Sequence, residues 1–299
     1  MFCSPFVLTL EREDGFGLVR EAGLQGRGAL NLKFFKSKWE AGHLALEEFL
    51  EEVREAGFDG TEIFLPELEE TPEEIADLHR KHDLLLIAQI GTTGGTPEGH
   101  LASLEELIPR CAAAGPVLVN SQTGRDWFSF DDSRRIFERA LELSEEHRVH
   151  VVHETHRGRP TFCTTETLRH LDALPELRLT ADISHWMCVH ESDLSDQSEA
   201  LDAVVPRVDH IHARVGFAEG PQVPHPLAPE YQGALGAHVR FWQAVLDARR
   251  AEGREWFTLT PEFGPPEYMP CLPFTRQPVA DAWDVNLEFL DYLRRRLDG

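Results

Sequence analysis

The chain is expected to fold as a single (β/α)8 barrel. Three observations point there: eight apolar runs of strand length, an amphipathic stretch of helix length in every gap between them, and a spacing close to one strand-plus-helix unit. The strand candidates are ALNLKFF (29–35), FDGTEIFL (58–65), LLLIAQI (84–90), PVLVNS (116–121), VHVVHE (149–154), LRLTAD (177–182), VDHIHA (208–213) and WFTLTPE (256–262). Their starts are separated by 29, 26, 32, 33, 28, 31 and 48 residues. An open doubly wound sheet is the competing architecture, but it calls for a glycine-rich phosphate loop after the first strand, and NLKFFKSKW carries none.

The helices follow in order. LALEEFLEEVREAG places Leu46, Phe49, Leu50 and Val53 on one face, an i, i+3, i+4, i+7 stripe. PEEIADLHRKH, EGHLASLEELIPRCAAAG, DDSRRIFERALELSEEH, TTETLRHLDAL, DLSDQSEALDAVV, GAHVRFWQAVLDARRAEG and VADAWDVNLEFLDYLRRR fill the other positions. Several start at Thr, Asp or Ser caps and several stop at Gly57, Gly115 or Gly253. Residues 1–28 read as an N-terminal extension closing the barrel floor, and 29–299 as the barrel itself. The longest gap holds VGFAEGPQVPHPLAPEYQG (215–233), rich in Pro and Gly and too long for a plain connection, which suggests a lid or substrate-binding loop.

Bulk composition narrows the partners. With 299 residues and 41% apolar content the chain can bury a full core. Its formal charge of -23, from 52 acidic against 29 basic residues, argues against nucleic acid and anionic membrane surfaces. The amino terminus lacks a basic start and a long apolar stretch, and no run of 18 apolar residues occurs, so neither a signal peptide nor a membrane span is expected and the default compartment is the cytoplasm. Five cysteines without a C-x-x-C pair indicate small buried apolar groups rather than disulfides or a zinc ribbon. A homo-oligomer stays open.

Four strand ends carry side chains suited to a hard divalent metal: VVHETH (Glu154), LTADISHW (Asp182, His185), DHIHAR (His210, His212) and LTPEFGP (Glu262). Strand parity puts Glu154 on one face with His150, Val152 and His156, and His210 with His212 and Arg214. Asn120 and Gln122 at the fourth strand are candidate substrate contacts, because Gly124 makes a rim turn after them. His156, Arg157 and Arg214 are the local cations for a carboxylate or phosphate substituent, and Lys33 or Lys36 could also reach the site. Trp39, Trp127 and Trp186 are candidates for an apolar wall against a sugar's C–H face.

The HET, ADISHW, HIH and PEFG segments, with GFDGTEIF at the second strand, resemble the xylose isomerase-like sugar phosphate isomerase/epimerase superfamily over roughly residues 28–297. That superfamily includes ketose 3-epimerases, hydroxypyruvate isomerase and inosose dehydratase. The resemblance implies one divalent ion held by Glu154, Asp182, His212 and Glu262. His212 is preferred to His210 because similar proteins use the second His of H-x-H, which leaves His210 as a candidate substrate contact, and His185 matches a residue that hydrogen-bonds a substrate oxygen. Oxygen-rich ligation favours Mn²⁺, Mg²⁺ or Co²⁺, with Zn²⁺ or Fe²⁺ as alternatives. Such an ion would chelate a carbonyl and its neighbouring hydroxyl and stabilise an enediolate, with Glu154 and Glu262 as acid and base.

The chain departs from the ketose 3-epimerases in two places. Thr155 and His156 stand where Pro and Leu or Ile usually follow the first Glu, and Ala218 stands where those proteins carry an Arg, with an Arg at 214 instead, so a different substrate recognition is expected. Isomerisation or epimerisation of a sugar or keto-sugar is therefore the leading expectation. A metal-dependent lyase or dehydratase of a keto-sugar or keto-inositol is the first alternative and a non-catalytic sugar-binding protein the second. An endonuclease IV-like phosphodiesterase would require a D-x-H pair after strand seven, where this chain has HPLAPE.

Overall fold

A computed structural model describes residues 30–297. Eight parallel strands close into a barrel in chain order. They are β1 (Asn31–Ser37), β2 (Gly60–Phe64), β3 (Leu85–Gly91), β4 (Leu118–Gln122), β5 (Val151–Glu154), β6 (Leu179–Ala181), β7 (Val208–His212) and β8 (Trp256–Thr260). β1 closes on β8 with Leu32 opposite Phe257 and Phe34 opposite Leu259. The fold class and all eight strand positions agree with the sequence expectation. The proposed extension over 1–28 lies outside the described residues.

The helices are α1 (Leu46–Glu55), α2 (Pro72–His82), α3 (Pro97–Ala113), α4 (Phe130–His147), α5 (Thr164–Ala173), α6 (Ile183–His190), α7 (Ser198–Val204), α8 (Gln232–Ala251) and α9 (Ala282–Leu297). Thr71, Thr96 and Ser129 accept hydrogen bonds from the first turns of α2, α3 and α4. Gly57, Gly115 and Gly253 take positive φ just beyond α1, α3 and α8, where a side chain would be strained. One helix exceeds expectation: the D-x-x-H turn is the start of α6, with Asp182 as its N-cap and His185 in the first turn.

The strands carry two apolar layers. Outward residues meet the helices in one large core, whereas Phe35, Ile87, Leu118 and Val152 form a small cluster inside the barrel. That plug needs Gly60: a Cβ there would lie 2.6 Å from the Phe35 ring and 2.4 Å from the Leu85 carbonyl oxygen. Above the plug the interior turns polar, so the chemistry-bearing side chains sit at the carboxyl ends of the strands. Among the described residues no helix is long and apolar enough to cross a membrane. Cys111 and Cys163 are buried free thiols, while Cys188 and Cys271, expected buried as well, are only partly so.

Candidate metal centre and substrate cavity

β5 ends at Glu154, β7 ends at His212, Asp182 follows β6 directly and Glu262 stands two residues past β8. Strand alternation turns all four inward. All are buried, and one ligand atom from each lies within 4.8 Å of the others. The Asp182 carboxylate is held by the Ser184 amide at 3.0 Å. His212 Nδ1 lies 2.9 Å from Glu262 and 3.5 Å from Glu154, yet neither contact has hydrogen-bond geometry, so it is a buried nitrogen without a hydrogen-bond partner. Three carboxylates around such a nitrogen fit a hard divalent cation.

A second polar layer lies beneath. Glu62 of β2 is within 2.9 Å of His212 Nε2 and 3.2 Å of His210 Nε2. It accepts hydrogen bonds from Asn120 Nδ2 at 2.9 Å and the Thr260 hydroxyl at 2.6 Å. His210 Nδ1 lies 2.7 Å from the Thr258 hydroxyl. Asn120 and His210, expected as substrate contacts, therefore sit one layer too deep and do not line the cavity. Residue alternation identifies the inward face correctly, but depth along a strand depends on the barrel's register, which sequence does not report.

A cavity of about 370 Å³ opens above the four groups. Glu154, Glu262, Gln122, His156 and Arg214 line it, together with Trp39, Gln89 and Tyr268. Gln122 donates to Glu154 at 3.0 Å and accepts from Arg159 at 3.2 Å. Arg214 is almost wholly buried. It bonds Asp182, approaches Glu262 at 3.8 Å and donates to His185 Nε2 at 2.7 Å. The His185 ring lies 3.9 Å from that of His156, and its Nδ1 is buried without a partner.

Several expected contacts lie elsewhere. Arg157 is exposed, with its guanidinium 5.1 Å from the Tyr268 ring. Lys33 pairs with Asp59, and Lys36 points out of the barrel to Glu40. Trp186 is buried against the Thr161 carbonyl and Trp127 is exposed, leaving Trp39 as the tryptophan at the cavity. No residue of 215–233 lines the cavity; that segment packs down on the barrel, with Gln222 bonded to both backbone groups of Gly264. The segment after β8 covers the site instead, and it supplies Tyr268, which the sequence reading missed along with Arg159. The same Pro- and Gly-rich signal that marked 215–233 is present in PEFGPPEYMPCLP.

The charges are strongly interdependent. Burial resists ionisation of Glu154, but the His212 imidazole beside it overrides that and pulls the carboxyl to about 2. Burial dominates at Glu262 and raises it to about 7. His212 is also disfavoured as a cation by burial, yet Glu262, Glu62 and Glu154 together hold it well above the usual histidine range. Burial first, then His156 and Arg214 beside it, hold His185 well below that range. Two carboxylates, Glu154 and Glu262, thus face one cavity with affinities for a proton that differ widely, as acid–base chemistry requires.

Residues 50–267 match the family model described as xylose isomerase-like TIM barrel. No curated protein matches the sequence. Solved structures match across most of the chain. A probable 3-DHS dehydratase from Bacillus anthracis is 17% identical, with 88% of this chain and 99% of that one covered and a TM-score of 0.57. Endonuclease IV from Thermus thermophilus is 17% identical, with 89% and 99% covered and a TM-score of 0.54. The 3-keto-D-glucoside 4-epimerase from E. coli is 15% identical, with 89% and 100% covered and a TM-score of 0.56. Three chemistries at such low identity establish the shared fold alone.

Proposed function

Because this chain belongs to the xylose isomerase-like TIM-barrel family, we propose that it is a divalent-metal-dependent isomerase or epimerase of a sugar or keto-sugar. One observation carries the reading: Glu154, Asp182, His212 and Glu262 converge, buried, within 4.8 Å at the carboxyl rim. They would hold the ion, with Mn²⁺, Mg²⁺ or Co²⁺ the best match to three oxygen donors and one imidazole. When bound, the ion would polarise a carbonyl and stabilise an enediolate beside it.

The remaining work falls to side chains. Glu154 and Glu262 both line the cavity, so each can take a proton from a carbon of a bound molecule or return one. Return to the neighbouring carbon isomerises; return to the opposite face epimerises. Gln122, held by Arg159, fixes the Glu154 carboxylate. Trp39 and Tyr268, in edge contact at 4.8 Å, form an apolar wall that limits water access. Expulsion of a β-hydroxyl from the same enediolate would make the enzyme a lyase, the second reading, and His156 at the cavity wall is placed to hydrogen-bond the departing oxygen.

The test is metal analysis of the purified protein followed by solvent deuterium incorporation into ketoses, keto-inositols and 3-keto sugars, with product analysis to detect elimination. Deuterium at the carbon beside the carbonyl, dependent on a stoichiometric ion, is expected. A protein that binds no ion, or that exchanges no substrate proton with its ion bound, would sink the proposal.

A further inference from the structure

The four-group centre has a fifth charged member. The Arg214 guanidinium is 2% exposed, which makes it one of the most deeply buried cations in the barrel. Two of its nitrogens are spoken for: Nε donates to Ser184 Oγ at 3.3 Å, and Nη2 serves Asp182 and His185. Among the described residues Nη1 has no hydrogen-bond partner, and Arg214 lines the cavity. The ring of Tyr268 lies 4.8 Å from the guanidinium, in cation–π contact with it. A guanidinium donor left free by the protein and open to the cavity is placed to bind a ligand oxygen, and it binds an anion more strongly than a neutral polyol oxygen.

Charge balance leads to the same place. Three carboxylates around one divalent ion, with the Glu62 carboxylate 2.9 Å from His212 beneath them, leave the centre negative, which repels an anionic substrate. Arg214 offsets part of that charge at the centre itself, 3.8 Å from Glu262. A neutral sugar has less need of such an offset.

Position then separates two kinds of anion. Lys38, Glu67 and Leu68 also line the cavity, from the connections that follow β1 and β2. Lys38 spends its ammonium on the carbonyls of Ala41 and Leu44, at 3.1 and 2.8 Å. A terminal phosphoryl group reaching that side would meet Glu67 and a cation already engaged. An anion beside the reacting carbons would meet Nη1 of Arg214.

Resting on the proposed metal-dependent proton transfer, we infer that the substrate carries a carboxylate on or next to the reacting carbonyl carbon, and that Arg214 binds it. The substrate class is a keto-aldonic acid or similar carboxylated keto-sugar rather than a neutral ketose or a terminally phosphorylated one.

Three probes with one carbon skeleton test this: 2-keto-D-gluconate, D-fructose and D-fructose 6-phosphate. Each is titrated calorimetrically into Mn²⁺-loaded protein after a Mn²⁺ titration of the metal-free form. The expected result is at least tenfold tighter binding of 2-keto-D-gluconate than of either other probe. In Arg214→Gln, with Mn²⁺ binding retained, that preference should disappear, whereas Arg214→Lys should keep part of it. The glutamine variant separates recognition by Arg214 from plain chelation of the ion by a carboxylate. Should the glutamine variant fail to fold, the wild-type comparison and the lysine variant still decide. Equal binding of the three probes, tightest binding of the phosphate ester, or a preference that survives in Arg214→Gln overturns the inference and leaves the metal reading standing. Absence of Mn²⁺ binding by the wild-type protein overturns both.

Discussion

Glu62 and His212 meet inside the barrel, with the carboxylate 2.9 Å from Nε2 of the imidazole. The opposite ring nitrogen, Nδ1, faces Glu154 and Glu262. One face of the ring is thus anchored by a carboxylate from β2 while the other is presented to the candidate metal position. Burial opposes a charge on Glu62, yet His212 and His210 hold its carboxyl well below the usual range, so it is an anion there. A carboxylate in this place fixes the tautomer and aims the ring.

Glu62→Gln should therefore weaken Mn²⁺ binding by roughly 10- to 100-fold while leaving all four proposed ligands in place. Calorimetric titration checks it. Native affinity in the variant would show that Asn120 and Thr260 orient His212 well enough without the charge. Because Gln is close to Glu in volume, a simple cavity does not confound the comparison.

Glu154→Gln and Glu262→Gln should each abolish turnover, and Asp182→Asn should weaken metal binding. Saturating Mn²⁺ should also stabilise the wild-type fold against heat, since an ion bound only by the native state adds about 2.7 kcal/mol at a hundredfold excess over Kd. Melting with and without chelator reads this directly. If both glutamine variants turned over every active substrate at near-native rates, the acid–base roles would be wrong.

The barrel was legible because its signals are local. Each strand is a short apolar run and each helix a periodic stripe, and neither depends on distant contacts. The inward identity of Glu154, His212 and Arg214 was legible for the same reason, through alternation. Depth was not. His210 and Asn120 share the inward face with true cavity residues, but the barrel's stagger sinks them onto the Glu62 carboxylate, a depth that alternation does not report. Tyr268 was missed because it belongs to an irregular segment whose path over the cavity is set by its contacts with Trp39 and Arg214.

Two glycines should respond differently to an added methyl. In Gly60→Ala the Cβ would stand 2.4 Å from a backbone oxygen of the neighbouring strand and 2.6 Å from Phe35, with nothing free to yield. Overpacking of this kind costs on the order of 1–3 kcal/mol. In Gly264→Ala the clash, at 2.2 Å, is with the Trp39 ring, which is 41% exposed and free to swing outward. Gly60→Ala should lower Tm with KM unchanged in the folded fraction, and Gly264→Ala should raise KM with little change in Tm. A Gly264→Ala enzyme with native KM would remove Trp39 from the substrate wall.

At the opposite rim, Asp209 is the hub of the barrel floor. It accepts from Arg178 at 2.9 Å through both guanidinium nitrogens, from Arg254 at 2.8 Å and from His150 at 2.9 Å, and Arg249 lies 3.5 Å away. These groups stand at or just before the starts of β5, β6, β7 and β8, with Arg249 from α8, so one carboxylate ties four strands together. Burial disfavours its charge, but His150 and Arg178 prevail and hold its carboxyl well below the ordinary aspartate value. An unfolded aspartate titrates near about 3.9, so between that value and the lower native one the unfolded chain binds the extra proton. The stabilisation is therefore complete above the unfolded value and drains away as pH falls through it toward the native one. Asp209→Asn should cost on the order of 3 kcal/mol at neutral pH, at the low end for a broken buried pair because Arg254 and His150 are solvent-screened. The variant's Tm should also fall less steeply than the wild type's as pH drops from about 5 to about 3, the window set by that titration. Parallel Tm-against-pH curves for the two proteins would show that the acid sensitivity of the fold lies elsewhere.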